Sequence, residues 1–485
     1  MTPRLIEHRP ASVLPSAVGI VHLGLGAFHR AHQAVYLQRW LNAGGDPRWG
    51  IEAANLRANR GLVARLRVAG YRYQVVEYAD DQRVTVREIA SIAQVRYTGP
   101  EGEELEALLE TLVAPATRIV TLTVTEKGYC LQPSDGALDE RDPSILHDLE
   151  HPDRPRSAPG LLVAALAERR ARGTAPFTVL SCDNLAANGE RVRSAVVRLA
   201  ALRDPALAGW IEAQVAFPSS MVDRIVPRVD ETTRSRLGEL GVSDPDALAC
   251  ESFSQWVIED RFPLGRPDWE RVGVTMVASV APFEEMKLRM LNGSHSLLAY
   301  LGLALGHRTV DQAVLDPRLR RVLERYLEEE AAPSLDAPGT PGAQELAAYA
   351  GSLLERFANP SLGHRLDQIA MDGSQKLPQR WLSGLEANLA AGRGIAVTAL
   401  GLAGWLAFIV AASGTGELDD PLAELLFAVA ARPSDQRVEA LLCERAIFHP
   451  GLAGDHRATR AVAEAYRAID ERGVEAALED AMESR

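Results

Sequence analysis

From the first residues to about residue 280, short β-branched runs alternate with stretches whose apolar residues recur every three to four positions. AVGIVHL, WGIEAA, RIVTLTV and PFTVLSC, with VTMVASV closing the half, predict strands, while LEALLETLV and GLLVAALAERRA predict helices. Such alternation predicts an α/β domain on a mostly parallel sheet. Two further runs, YRYQVVEY and RVTVREIASIAQVRY, predict an antiparallel addition. After Pro282 the period changes. SHSLLAYLGLAL, PRLRRVLERYLEEE, AQELAAYAGSLLERF and RAVAEAYRAI all repeat apolar residues at helical spacing, so the second half is expected to be all-helical. The expected domains are residues 1–280 and 281–485. No repeat of 20 to 50 residues is visible, and Ala331 to Gly342, rich in Pro, Gly and Ala, is expected to be a loop between helices.

Composition narrows the class. A chain of 485 residues holds two large domains or three ordinary ones. The net charge of −13 disfavours nucleic acid as a partner and gives no basic tail for a membrane surface. Cys130, Cys182, Cys250 and Cys443 have no paired spacing, so no disulfide framework and no metal site is expected, which fits the cytoplasm. The first residues lack a signal-peptide run. Gly394 to Gly416 is uncharged and long enough to span a bilayer, but it is rich in Gly, Ala and Thr and flanked by helical patterns, so a buried core helix is expected.

GIVHLGLGAFHRAHQ places Gly24 and Gly26 after the first strand and before a helical pattern. In a dinucleotide fold the first glycine permits the tight turn and the second admits the pyrophosphate to the backbone. Gly24, Gly26, Ala27, Phe28, His29 and Arg30 are the expected cofactor-binding residues; His29 stands where the third glycine is usual, and an ordinary strand–helix turn is the plain alternative. The second strand should end in an acid for NAD or an arginine for NADP. Arg57 and Arg60 follow it, with no carboxylate until Glu77, which leaves NADP open beside NAD.

Of 52 basic residues only Lys127, Lys287 and Lys376 are lysine. Arginine keeps its proton, whereas an enclosed lysine can lose one near neutral pH. In MKLRMLNGSH, an α-helix at ~100° per residue puts Asn292 about 140° and His295 about 80° from Lys287, within one half of the circumference. Hydride transfer without a metal needs a base for the alcohol proton and donors for the developing alkoxide, which these three side chains supply. No tyrosine has a lysine four residues on, and no H-E-x-x-H or Cys/His cluster occurs. A solvated face with a packed histidine is the plain alternative.

The blocks GLGAFHRAHQ, TVTEKGYC, FTVLSCDNLAANG, FPSSMVDRIVP, ESFSQWVIEDRF, EEMKLRMLNGSHS and MDGSQKLPQR, in this order, resemble the long-chain mannitol dehydrogenase family, which includes polyol dehydrogenases and fructuronate reductase (D-mannonate oxidoreductase). The resemblance implies a Rossmann-type N-terminal domain, an all-α C-terminal domain, NAD, no metal and catalysis between the domains, and it favours a monomer. It assigns Lys287 as general acid/base, Asn292 and Asn184 as amides holding the reacting oxygen, His295 as a substrate-positioning residue and Glu284 as a route for the proton to solvent. Lys376 matches a substrate-contacting lysine; Lys127 lies in a block bordering the cofactor site. Arg289 and Gln368 depart from the mannitol enzymes and look more like fructuronate reductase. A sugar acid needs a cationic partner, for which Lys376 and Arg380 are the candidates. A polyol-to-ketose activity, or a dinucleotide sensor without catalysis, are the alternatives.

Overall fold

The structure, a computed structural model, describes residues 4–99, 102–132, 136–361 and 363–483. Contacts divide the chain into two compact units, Met1–Ala281 and Pro282–Arg485.

The first unit holds twelve strands among its described residues: β1 (Leu5–Arg9), β2 (Val18–Leu23), β3 (Gly50–Asn55), β4 (Tyr73–Tyr78), β5 (Arg83–Ile89), β6 (Ile92–Tyr97), β7 (Ile119–Leu122), β8 (Thr178–Ser181), β9 (Ser220–Asp223), β10 (Leu248–Glu251), β11 (Gln255–Glu259) and β12 (Thr275–Val277). A five-stranded sheet runs in the order β6-β3-β2-β7-β8 with every pair parallel. The strand order reverses between β2 and β7, so the Rossmann expectation is met and the ligand crevice belongs at the carboxyl ends of those strands. Both faces are covered. Ile20 packs with the helices Gln33–Asn42 and Arg60–Val68, whereas Val21 and Leu23 pack with Leu105–Val113, Ala158–Ala171 and Asn188–Arg203. Burial on both faces is why these strands read as continuous apolar runs.

Two expectations are corrected. YQVVEY and RVTVREI do pair antiparallel, as β4 and β5, in a separate sheet ordered β1-β5-β4-β10. IAQVRY, however, is β6, a parallel edge strand of the main sheet. The run VTMVASV supplies only β12, which joins β11 and β9 in a three-stranded sheet. Glu77, on β4, lies apart from the main sheet, enclosed by Arg39, Arg87 and Arg224. Burial would raise its pKa, but the three guanidiniums outweigh that and hold it at about 2. The ribose-reading position after β3 is not filled by this carboxylate. Three of the four cysteines are buried, all in this unit, and burial pushes the Cys130 and Cys250 thiols up to about 12 and raises that of Cys182 as well; Cys443, in the second unit, is exposed.

No strand occurs among the described residues of the second unit. Its centre is the helix Gly293–Ala304, buried on every side from Gly293 to Gly302. The apolar helix Ala396–Thr415 packs against it, and the expected core helix is found: it is buried through its first half and exposed in its last turn. Gly401 and Gly404 make the close approach, since a Cβ there would lie 2.8 Å from the Trp381 ring and 2.7 Å from Leu301. The helix begins on the buried carboxylate of Glu330, which accepts the Val397 and Thr398 amides and the Thr398 hydroxyl. Those amides have no intrahelical acceptor, so the carboxylate satisfies what burial would otherwise leave unpaired. The stretch expected as a loop from Ala331 begins with a tight turn, Ala332–Ser334, and becomes helical again at Ala343.

Candidate active site

In the first unit, β2 ends at Leu23 and the chain turns at Gly24 with φ +101°. A Cβ there would run into the Thr123 carbonyl beyond β7, and Thr123 closes the corner by donating its hydroxyl to the Gly24 oxygen at 2.7 Å. Only glycine fits both the backbone angle and the approach. Gly26 differs: a Cβ there would meet nothing nearer than the Gly24 oxygen at 3.8 Å, so its open side faces free space. That space is a cleft of about 400 Å³ lined by Gly24, Gly26, the segment from Asn55 to Asn59, the segment from Thr123 to Thr125, and Lys127 and Arg156. Arg57, Lys127 and Arg156 are cationic and no carboxylate lines it among the described residues. A strand-end crevice at the order reversal, bare backbone and cationic walls fit a dinucleotide.

Of the six loop residues expected at the cofactor, Gly24 and Gly26 line this cleft and the rest do not. The His29 ring is fully buried, stacked on His22 with centroids 3.3 Å apart. Arg30 is buried, donates to the Asp246 carbonyl at 2.7 Å and lies over the Tyr73 ring. Phe28 stacks on His32. The side chains of His29 and Arg30 are buried in the core, and that of Phe28 packs against it. The helix is also two helices, Ala27–Ala31 and Gln33–Asn42, broken at His32.

Asn184 is exposed beside a second depression shared with Thr125, Glu126, Lys127, Asp183 and Leu185. Its neighbour Asp183 organises the rim. One carboxylate oxygen accepts the Val124 amide and the Tyr129 hydroxyl, and the other accepts the Thr125 amide. Thr125 has φ +65° and ψ 168°, a conformation that a β-branched residue adopts only when held there. Burial raises the Asp183 pKa, partly offset by these hydrogen bonds. Asp183, Tyr129 and Asn188, whose amide bridges the Asp183 and Ser220 carbonyls, were not singled out from sequence, although all three lie in quoted blocks.

In the second unit the sequence expectation of a regular helix through Lys287 is corrected. The chain is α-helical over Ala281–Met286, π-helical over Lys287–Asn292 and α-helical again from Gly293. A π turn joins residues five apart and returns nearly to its starting face. Asn292 lies five residues after Lys287, so the two face much nearer one another than the 140° of an α-helix. Lys287 is 8% exposed. The Asn292 side-chain oxygen and His295 Nε2 are buried with no hydrogen-bond partner. Such atoms need an acceptor or donor from elsewhere. The His295 ring packs on Phe357 and His364, and burial, with His364, Arg380 and Arg356 nearby, drives its pKa well below the usual range and keeps it neutral. Glu284 is half-buried one helical turn before Lys287.

Arg380 comes to the same neighbourhood, donating to the Ser296 hydroxyl at 2.9 Å. Burial lowers its pKa to about 10, and no carboxylate among the described residues forms an ion pair with it. Lys376, one turn earlier, spends its ammonium on the Met371 carbonyl at 2.5 Å, on the Ile369 carbonyl and on an ion pair with Asp372 at 3.7 Å. Burial, then Arg380, lowers its pKa. Arg289 turns away, onto the Ser334 carbonyl at 2.5 Å and Glu285 at 3.5 Å.

Residues 18–271 match the mannitol dehydrogenase Rossmann domain and residues 279–470 the mannitol dehydrogenase C-terminal domain. The chain belongs to the mannitol dehydrogenase family. It is a secondary-alcohol oxidoreductase of that family. Among its relatives, D-mannonate oxidoreductase of Escherichia coli K12 is 46% identical over 462 residues, 94% of this chain and 93% of that protein. The uncharacterized oxidoreductase YeiQ of the same strain is 45% identical over 466 residues, 95% and 93% of the two chains. Mannitol 2-dehydrogenase of Pseudomonas fluorescens, solved as a ternary complex with NAD and D-mannitol, superposes with a TM-score of 0.81 at 35% identity, covering 99% of this chain and 97% of that one. This mannitol dehydrogenase family chain shows no group of three or more His, Cys, Asp or Glu arranged to hold a metal among its described residues.

Proposed function

We propose that this enzyme interconverts D-fructuronate and D-mannonate by hydride transfer at C5, with NAD as cofactor and NADP as a second acceptor to be tested. The observation that carries the sugar-acid reading is Arg380, a half-buried guanidinium near Tyr300 and Tyr326 with no ion-paired carboxylate among the described residues. A cation partly withdrawn from water and left unpaired carries a desolvation cost, and a substrate carboxylate offers the bidentate partner it lacks. The identity to D-mannonate oxidoreductase, 46% against 35% for the Pseudomonas fluorescens mannitol enzyme, supports the same choice.

Gly24 and Gly26 would hold the dinucleotide pyrophosphate, and the segment from Asn55 to Asn59 its adenosine end. When bound, a nicotinamide supplies the hydride acceptor in oxidation and the donor in reduction. The chain's own residues move the proton and hold the oxygen. Lys287 Nζ takes the hydroxyl proton in oxidation and returns it in reduction. Asn292 and Asn184 donate to the oxygen on which negative charge develops, and His295, neutral, orients a substrate hydroxyl. Glu284 passes the proton on to solvent. Arg380, with Lys376 beside it, receives the carboxylate.

A substrate panel tests the reading: kcat/KM for D-mannonate should exceed that for mannitol and arabinitol by orders of magnitude. A clear preference for mannitol would replace it with a polyol dehydrogenase, and dinucleotide binding without any turnover would leave a sensor. Rates with NADH and NADPH decide the cofactor.

A further inference from the structure

Three π-helical turns occur among the described residues of the second unit: Lys287–Asn292, Tyr326–Ala331 and Pro378–Leu382. The first carries Lys287 and Asn292, and it is built around one displaced hydrogen bond. In an α-helix the Gly293 amide would donate to the carbonyl of Arg289, four residues back. Here it reaches instead to Leu288, five back, and to Met290, three back. The Arg289 carbonyl loses its helical partner inside the core, where an unpaired carbonyl is expensive.

The second turn supplies the replacement, and the third braces the adjoining residue. Tyr326, the first residue of the second turn, donates its hydroxyl to the Arg289 carbonyl at 2.8 Å. Trp381, in the third turn, donates its indole N–H to the Gly293 carbonyl at 3.1 Å. Gly293 makes room for both: a Cβ there would run into the Tyr326 hydroxyl and lie 3.3 Å from the indole nitrogen. Tyr326 and Trp381 are buried. A single π turn inside an α-helix is rare and frequently found at functional positions.

We propose that Tyr326 and Trp381 are positioning residues for the reaction, holding the π turn open so that Lys287 and Asn292 share one face. The inference rests on the assignment of Lys287 and Asn292 to proton transfer and oxygen binding. It is independent of which alcohol is the substrate. Without the phenol hydroxyl, the Gly293 amide gains by returning to Arg289, the turn relaxes toward α geometry, and Asn292 rotates away from Lys287.

The test uses Tyr326→Phe in the full-length enzyme, with the alcohol that the wild-type enzyme turns over fastest, so a wrong choice of mannonate does not affect it. The expected result is a folded protein with kcat reduced by about ten- to a hundred-fold and dinucleotide KM within about twofold of wild type. The limb of the pH–rate profile that reports the general base should move, because the partner geometry of Lys287 changes. Gly293→Ala should disturb the same bond by pushing the phenol away, so Y326F combined with G293A should cost much less than the two single losses multiplied. A folded Y326F enzyme with wild-type kcat and pH profile overturns the proposal, as does an equal loss of kcat and of dinucleotide affinity. If Y326F does not fold, Trp381→Phe carries the test: a lower kcat with unchanged dinucleotide KM supports the proposal, and wild-type kcat overturns it.

Discussion

Replacing Arg380 with methionine should make the protein more stable and the enzyme much worse, a pairing that a purely structural arginine does not give. The stability side follows from the burial that brings its pKa from the ordinary arginine range down to about 10. That displacement corresponds to at most about 3 kcal/mol of cost for keeping this half-buried guanidinium charged at neutral pH. Methionine removes the charge and keeps most of the stem volume. The lost hydrogen bond to Ser296 returns ~1 kcal/mol of the gain, which leaves a net stabilisation on the order of 1–2 kcal/mol. For a unit of roughly 200 residues this raises the melting temperature by about 2–8 °C. On the activity side, a carboxylate deprived of a half-buried cationic partner loses ~2–5 kcal/mol of binding, or roughly 30- to 5,000-fold in kcat/KM. Calorimetry and initial rates on mannonate and mannitol, side by side, read both effects, and the loss should fall on mannonate alone. A destabilised Arg380→Met protein whose mannonate-to-mannitol ratio matches wild type would refute the reasoning, and Arg380 would then be a packing residue.

Lys287→Ala should lower turnover by at least ~10²-fold with dinucleotide affinity nearly intact, and Lys287→Arg should be almost as damaging because arginine keeps its proton. Near wild-type turnover in a folded arginine variant, measured across pH, would exclude proton transfer by Lys287. Gly24→Ala forces a Cβ into the Thr123 carbonyl at φ +101°, so it should cost ~1–3 kcal/mol in stability, read by denaturant unfolding, and raise dinucleotide KM. His22, lowered by burial to about 3, and His29 and His295, lowered well below 6.5, are neutral in the folded protein and protonate once unfolded. Their contribution is complete above pH ~6.5 and is lost as pH falls toward the folded values, so stability should drop from pH ~6.5 to 4, and replacing His22 with glutamine should flatten that slope.

Strands β2, β3, β7 and β8 were legible in the sequence because burial on both faces leaves an unbroken apolar run that few other environments demand. IAQVRY was misread for the converse reason. As the edge strand β6 it is only partly covered, with Ile92 and Val95 buried and the other four positions half-buried, so it lacks the unbroken apolar run of the central strands. The residue types at Lys287, Asn292 and His295 were legible, but their angular relation was not. Ten residues of apolar spacing do not separate an α turn from a π turn, and what decides between them here is a tyrosine 37 residues from its acceptor and a tryptophan 88 residues from its own. At the dinucleotide loop the motif located the crevice, yet nothing in GAFHR distinguishes a residue that offers backbone to a ligand from one whose side chain fills the core. His29 and Arg30 are of the second kind.

The burial of Cys130, Cys182 and Cys250 gives the first unit a built-in clock for its own opening. A thiol held near pKa 12 is ionised in only about one molecule in 10⁵ at neutral pH, so an alkylating reagent meets essentially no thiolate until the surrounding structure lets go. Cys443, the exposed thiol of the second unit, is modified at once and sets the starting mass. Each later mass increment counts an opening event in the first unit and none in the second. Followed in time, alkylation thus measures the local stability of one half of a two-unit enzyme without an introduced label or a single substitution.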